Sequence, residues 1–400
     1  ANDHSGRLFL GYCLEAIPSL LMLGTSRYSV AWITAKLKEC GESLSPKSEE
    51  AVSERIGEGT GFCSTIFRLN FSDGPSFVVK VPIMPPPGEV SADLSAAEER
   101  RINVETQQRE CRMFAWFTRN LPSSADDDNS VAIPRIFFSE EADDENEGVI
   151  VMEDYCNRIT ELSQAAGFEL NHVLDIVEQV ARFQSASLAA EELITFQPNP
   201  KLMCIMNDFL MKCILKVDWL SERQIEVLTG WSTPQSLTSL FSDYDDDISG
   251  LSRVLVHADF WPNNLLWTKG EGDDVIRLMA VIDWQEAIAG ACMVDISTIL
   301  CEALRPEVRR EQEDNVIKYY VDAMERRRAR FRRPFDITTD KARRVLRRCL
   351  RLGALQLLLT VVLSPQLDEK PEGEEEGEGE GIMTARLRAL LDDVIPGDSI

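Results

Sequence analysis

The segment Val254-Leu-Val-His257-Ala-Asp259-Phe-Trp-Pro-Asn-Asn264-Leu-Leu-Trp267, followed by Met279-Ala-Val-Ile-Asp283-Trp284-Gln285, decides how this 400-residue chain is read. A β-rich run enters a polar loop carrying His257, Asp259 and Asn264, and a second apolar run ends in Asp283, nineteen residues after Asn264. Taken singly, Asp259, Asn263 and Asn264 are ordinary turn caps. Asp259, Asn264 and Asp283 together, in this order and beside apolar strands, supply two carboxylates and an amide oxygen. Those are hard donors of the kind Mg²⁺ takes, and a carboxylate can also orient or deprotonate a hydroxyl. Phosphoryl transfer needs few other parts. Asp259 is assigned to the acceptor hydroxyl, and Asn264 and Asp283 to the metal. His257, two residues before Asp259, is assigned a structural bracing role.

The N-terminal half supplies the complement. Gly57, Gly59 and Gly61 lie in a strand–turn–strand setting before Lys80. Glycines allow close backbone approach to phosphates, although a G-x-G-x-G alone fits any tight hairpin. Lys80 stands in the apolar run Val78-Val-Lys-Val81, either as an edge-strand surface residue or as a phosphate ligand. Glu110 follows it by thirty residues on a long helical stretch and can pair with it; Glu105 is the weaker competitor.

Composition narrows the class. Lys plus Arg is 42 and Asp plus Glu is 67, a net charge of −25, which argues against nucleic acid as a partner because phosphate backbones repel an acidic surface. The 44% apolar content fits a folded globular chain. The ten cysteines include no C-x-x-C pair and there are three histidines, so no zinc cluster is visible. Scattered thiols fit a reducing compartment and a cytoplasmic protein, although ten cysteines also allow pairing. The apolar stretch 8–24 is interrupted by Glu15 and Pro18. It reads as an amphipathic helix, with a signal-peptide core as the alternative, and is too short to span a bilayer.

Periodicity places a helix over 28–40, strands over 63–71 and 77–81, a helix over 96–120, strands over 131–138 and 149–152, and mainly helix from about 155. A helix over 172–191 and the β-rich segments 253–267 and 275–284 follow, with helices again from 291 to 363. Three divisions result: an N-terminal helical extension over 1–49, a β-rich unit over 50–152 and a helical unit over 153–400. The Glu/Gly-rich 366–382 reads as an acidic flexible loop within the last. Residues 305–351 carry 16 basic and 8 acidic side chains and read as a solvated helix face, with anion binding as the alternative.

The chain resembles the aminoglycoside phosphotransferase and choline kinase superfamily, and within it the choline-kinase-homologous (CHK), ecdysteroid-kinase-like proteins. The likeness runs from about 50 to 360 and is carried by Ile56-Gly-Glu-Gly-Thr-Gly-Phe62, Val-Val-Lys80-Val, Val151-Met-Glu-Asp-Tyr155, the His257–Trp267 segment, Val-Ile-Asp283-Trp-Gln and Gly290-x-x-x-x-Asp295-Ile. It implies an α+β, protein-kinase-like two-lobed fold with a small antiparallel β-rich N-lobe and a mainly helical C-lobe. It further implies ATP and Mg²⁺ as cofactors, with Met152, Glu153 and Asp154 as the hinge that meets adenine. Asp295 would brace the catalytic loop. Ala258 and Gln184 depart from the superfamily, where Gly and His are frequent.

The implied activity is transfer of the γ-phosphoryl group to a hydroxyl of a small molecule. A protein kinase is disfavoured by Ala258, by Trp261, and by Trp284-Gln285 after Asp283. A non-catalytic pseudokinase is disfavoured by the presence of Lys80, Asp259 and Asp283. Trp219, Trp231, Phe209 and Phe241, with Asp243 and Asp245–Asp247, suit a choline-like cation; an apolar groove would suit a sterol-like alcohol; core packing with a solvated loop is the third reading.

Overall fold

The computed structural model describes residues 22–395, apart from 25, 43, 45–50, 58–62, 73, 85–94, 122–129, 144, 191–195, 246–247, 270–274 and 369–380. The expected 8–24 helix (up to residue 21), Gly59, Gly61 and most of the acidic loop lie outside the described residues. Two compact units emerge, one comprising the residues up to Val104 with Arg135–Asp154, the other Glu105–Pro134 with Tyr155 onward.

The first unit is a five-stranded antiparallel sheet of β1 (Val52–Ile56), β2 (Ser64–Asn70), β3 (Ser76–Pro82), β4 (Ile136–Glu140) and β5 (Val149–Glu153), in the order β1-β2-β3-β5-β4. The strand expected over 131–138 begins only at Ile136, because Pro134 has no N–H to give a ladder. Phe77, Val79 and Val81 alternate along β3 and enter a core with Phe67, Leu69 and Val151. The period of two then turns Val78 and Lys80 to the opposite face.

Helix α1 (Val30–Glu39) closes that core with Val30, Ile33 and Leu37, and starts where Ser29 accepts the N–H of Trp32 at 3.2 Å. Helix α1 therefore packs onto the sheet core, because an amphipathic helix must bury its apolar stripe. Helix α2 (Ala96–Asn120) has the bounds its periodicity predicts, but only its start lies in the first unit; 105–134 belong to the second.

The second unit is mainly helical: α3 (Leu170–Leu188), α4 (Pro200–Ile214), α5 (Glu222–Ser232), α6 (Pro234–Ser242), α7 (Val294–Ala303), α8 (Pro306–Arg326), α9 (Thr339–Leu363) and α10 (Ile382–Val394). Pro at the first position of α4, α6 and α8, with Asn199 and Thr233 as caps of the first two, sets their starts. Every residue of α7 is buried, and Gly353 on α9 permits close approach: a Cβ there would stand 2.6 Å from Cys301 Sγ. Two antiparallel pairs complete the unit, β6 (Val254–Val256) with β9 (Ile288–Gly290), and β7 (Leu265–Lys269) with β8 (Ile276–Val281).

Pro365–Leu367 forms a 3-10 turn, and Asp368 accepts from Thr384 N at 2.7 Å and Thr384 Oγ1 at 2.6 Å, capping α10 from a distance. The composition is that of the α+β protein-kinase-like fold, an antiparallel sheet unit joined to a mainly helical one. The nine described cysteines are free, and no described helix is long and apolar enough to cross a membrane.

Candidate active site

The register of β7 and β8 builds the centre of the site. Leu265 pairs with Val281, and the N–H of Ile282 donates to the carbonyl of Asn264 at 3.0 Å. The strand ends therefore bring Asn264 beside the residue that precedes Asp283. A sequence separation of nineteen becomes adjacency because a hairpin folds one apolar run back on the other. Asn264 is buried, and its Nδ2 donates to the Asp259 carbonyl at 2.8 Å and to Asp259 Oδ2 at 3.0 Å. Asp259 and Asp283 are half-buried.

Two residues of the site take left-handed backbone, Ala258 at φ 68° and Asp283 at φ 65°. For L-residues that conformation costs about 1–2 kcal/mol, with Asp better suited to it than most, and such strain concentrates at functional loops. A glycine at position 258 would adopt it freely.

His257 is fully buried and ties the two carboxylate carriers together. Its Nε2 lies 2.9 Å from the carbonyl of Ile282, and its Nδ1 accepts the N–H of Asp259 at 3.3 Å. A carbonyl can only accept, so Nε2 carries the proton and Nδ1 the lone pair. The ring packs against Trp284 and Phe260 at 4.7 and 5.3 Å between centroids. Asp295 lies under the loop, fully buried, and takes the N–H groups of His257 and Ala258 at 3.0 Å each. Burial pushes its carboxyl up to about 7 against the lowering pull of those two bonds.

Sequence reading did not single out Glu302. This α7 carboxylate is buried, accepts from Thr360 Oγ1 at 3.0 Å and Gln164 Nε2 at 2.9 Å, and is pushed up to about 7, first by burial and further by the charge of Asp259. Its only sequence signal is an acid near the end of a helix whose every residue is buried.

In the sheet unit Lys80 is 6% exposed on β3, which is central, so the edge-strand reading fails. Gly57 takes φ 67°. Met152 pairs with Val78 and Ile136; the N–H of Glu153 donates to Arg135 O at 2.9 Å; Asp154 holds Arg68 at 2.8 Å. In the helical unit Glu110 is 1% exposed, while Glu105 accepts from Asn199 at 2.7 Å and so has another task. No group of three or more His, Cys, Asp and Glu able to hold a metal occurs among the described residues, leaving the mixed Asn264 and Asp283 pair as the hard-oxygen candidate.

Among the described residues, both tryptophans and two of the acids of the aromatic and acidic segment are already engaged. Arg388 stacks over Trp219 at 4.1 Å and Arg351 over Trp231 at 5.9 Å; Asp243 pairs with Arg253 and Asp245 with Arg348. The chain's own guanidiniums take the faces and charges that a choline-like ligand would need.

Comparison with known proteins fixes the family. The model of DUF1679, described as "Uncharacterized oxidoreductase dhs-27", matches residues 109–397. The chain belongs to the DUF1679 family. It is 22% identical over 386 residues to the Caenorhabditis elegans protein called "Uncharacterized oxidoreductase dhs-27", covering 92% of this chain and 46% of that one. It is 25% identical over 195 residues to the "Uncharacterized kinase-like protein D1044.1" of the same organism, covering 47% and 50%. This DUF1679 chain thus spans about half the length of the curated relatives it matches.

Among solved structures it is similar to the GDP complex of wild-type aminoglycoside 2'-phosphotransferase-IIIa, at 12% identity and TM-score 0.46, covering 91% of this chain and 97% of that one. It is also similar to the macrolide 2'-phosphotransferase MphH of Brachybacterium faecium, at 15% identity and TM-score 0.45, covering 92% and 99%.

Proposed function

We propose that this chain is a Mg²⁺-dependent phosphotransferase that moves the γ-phosphoryl group of ATP to a hydroxyl of a small molecule, within the CHK-like branch of the kinase-like phosphotransferases. The observation that carries this reading is the double hydrogen bond from Asn264 Nδ2 to Asp259. It uses the amide nitrogen and leaves Oδ1, which makes no hydrogen bond among the described residues. An amide oxygen so presented, held beside the end of β8 that carries Asp283, fits a hard cation. Lys80, buried on a central strand, would meet nucleotide phosphates through charge-assisted contacts.

Bound Mg-ATP brings an electrophilic phosphorus whose charge the metal spreads. Asn264 and Asp283 would hold the metal. Lys80 would hold phosphate oxygens, Glu110 would serve nucleotide binding, and Gly57, Gly59 and Gly61 would cover the phosphates. Backbone groups within Met152–Asp154 would meet the base. Asp259 would hold the acceptor oxygen and take its proton late in the transfer, since an alcohol does not ionise unaided at neutral pH. His257, neutral and bonded on both sides, would brace the loop.

The word oxidoreductase in the relative's name belongs to a chain about twice as long. Every strand pair among the described residues is antiparallel, so these residues contain no parallel β-α-β dinucleotide unit. The test is titration with Mg-ATP and Mg-GTP, followed by a phosphate-release and mass-shift screen over small alcohols, including sterol-like ones, beside a protein-substrate panel. Saturable Mg-nucleotide binding and a small-molecule product are expected. Phosphorylated protein as the only product would make it a protein kinase, and binding without any turnover a pseudokinase.

A further inference from the structure

One turn of α3 holds the catalytic loop at two points. Gln184 and Ser187, three residues apart, are completely buried. Ser187 Oγ accepts the N–H of Leu255, in β6, at 2.9 Å and donates to the Gln184 carbonyl at 2.6 Å. Gln184 Nε2 donates to the carbonyl of Cys292 at 3.0 Å, and its Oε1 accepts the hydroxyl of Tyr320, from α8, at 2.6 Å. The Cys292 carbonyl can only accept, so it fixes which end of the amide is nitrogen, and Tyr320 must then donate. Leu255 lies two residues before His257. Cys292 lies three before Asp295, whose carboxylate takes the N–H groups of His257 and Ala258. The same helical turn therefore grips the strand that delivers the loop and the helix start that delivers its brace.

We infer that Gln184 is a positioning residue for the phosphotransfer site: its amide sets the start of α7, and through Asp295 the backbone that carries Asp259. The inference rests on the proposed phosphotransfer reading. Simple core packing would need only the volume of the side chain. The two hydrogen bonds need a donor and an acceptor at fixed ends of one planar group, and an apolar side chain of similar size supplies neither.

Gln184→Glu and Gln184→Met separate these roles. A protonated Glu can donate to the Cys292 carbonyl and accept from Tyr320, restoring both bonds. An ionised Glu sets a carboxylate against that carbonyl. Met cannot make either bond at any pH. The titratable groups around the position are Tyr320, which bonds it, and Cys292, Tyr244, Cys349 and Asp295, which are coupled to Tyr320 or to Cys292. Burial raises both tyrosines and the Cys349 thiol well above their ordinary values and the Cys292 thiol to about 12, so of the five only Asp295, at about 7, titrates in the working range. A carboxylate at 184 would couple to Asp295, so each variant is read as its ratio to the parent and the charge-free Gln184→Met is the reference for the pH dependence.

The probe is Mg-ATP with water as acceptor, followed from pH 5 to 8.5, beside hydrogen exchange of 254–264. For Gln184→Glu the kcat ratio should fall roughly tenfold as pH rises, with KM for ATP within about twofold. Gln184→Met should stay low throughout and exchange the His257 and Ala258 amides roughly tenfold faster, while α9 keeps parental protection. A pH-independent ratio for Gln184→Glu, or parental exchange at 257–258 in folded Gln184→Met, overturns the positioning role. A parent that turns over no Mg-ATP overturns the phosphotransfer reading instead, and the exchange measurement still decides whether Gln184 positions the loop.

Discussion

Asn264 reaches Asp259 twice through a single atom: Nδ2 lies 2.8 Å from its carbonyl oxygen and 3.0 Å from its carboxylate Oδ2. The pair divides the chemistry between them. One oxygen of Asp259 is steadied, and the amide nitrogen of Asn264 is engaged while its oxygen is left for another partner.

The first prediction follows from that geometry. In Asp259→Asn the new amide oxygen still accepts from Asn264, so the loop keeps its shape while the proton acceptor is lost. Turnover should fall by roughly 10²–10⁴ and Mg-ATP affinity should change little. Single-turnover kinetics beside nucleotide titration checks this. Near-parental chemistry in the folded variant would remove Asp259 from its role, and lost nucleotide binding would move it to the metal.

Asp283→Asn and Lys80→Ala should weaken Mg-ATP instead. The first removes a metal-binding charge, the second a charge-assisted phosphate contact. Isothermal titration at several Mg²⁺ concentrations distinguishes them, since only Asp283→Asn should raise the Mg²⁺ requirement. Parental Mg²⁺ dependence in that variant would refute the metal assignment.

Glu302 gives a pH prediction. Burial holds its carboxyl at about 7 in the folded chain, against about 4.3 when unfolded. Between these values the folded state binds the extra proton. Its contribution to stability is therefore greatest at acid pH and declines as pH rises through the window, by up to about 1.4 kcal/mol per pH unit. Glu302→Gln removes this slope. The fit is good because Gln164 Oε1, buried without a hydrogen-bond partner among the described residues, can turn to accept the new amide. Urea melts from pH 4.5 to 7.5 should show the parent losing stability relative to the variant, and parallel curves would show that Glu302 is ionised throughout.

Gly290→Ala should damage the fold. Its Cβ would stand 2.5 Å from the carbonyl oxygen of Phe241 and 3.1 Å from Val256 Cγ2, so the end of α6 must move away from β9. A loss of about 1–3 kcal/mol is expected, seen as a lowered Tm. Ala258→Gly should leave Tm unchanged or raise it, because relief of the left-handed backbone offsets the added chain entropy. An unaltered Tm in Gly290→Ala would mean that the end of α6 sits against β9 more loosely than that distance shows.

Much of this was legible in the residues. Period-two alternation in Phe77–Val81 separates Lys80 from the core face, and two apolar runs around 265 and 281 suffice to pair Asn264 with the neighbour of Asp283. Local patterns show that a face is apolar without showing what covers it, which is why α1 reads as an extension when it closes the sheet core. Trp219 and Trp231 look like a cation site until Arg388 and Arg351 arrive from far along the chain. The cap of α10 is hidden for the same reason, since Asp368 lies fourteen residues before the helix whose start it caps.

The packing around Trp284 also gives the molecule an optical readout. The indole is fully buried, follows Asp283 directly, and lies 4.7 Å from the His257 ring and 4.6 Å from Phe117 between centroids. Its ring N–H donates to Val281 O at 3.1 Å, at the end of the strand that leads to Asp283. A shift of that strand end on ligand binding alters the indole's environment directly. Near-ultraviolet dichroism and emission from this one fluorophore, isolated by replacing the other tryptophans, would therefore report site occupancy without a label, a coupled enzyme or an identified acceptor.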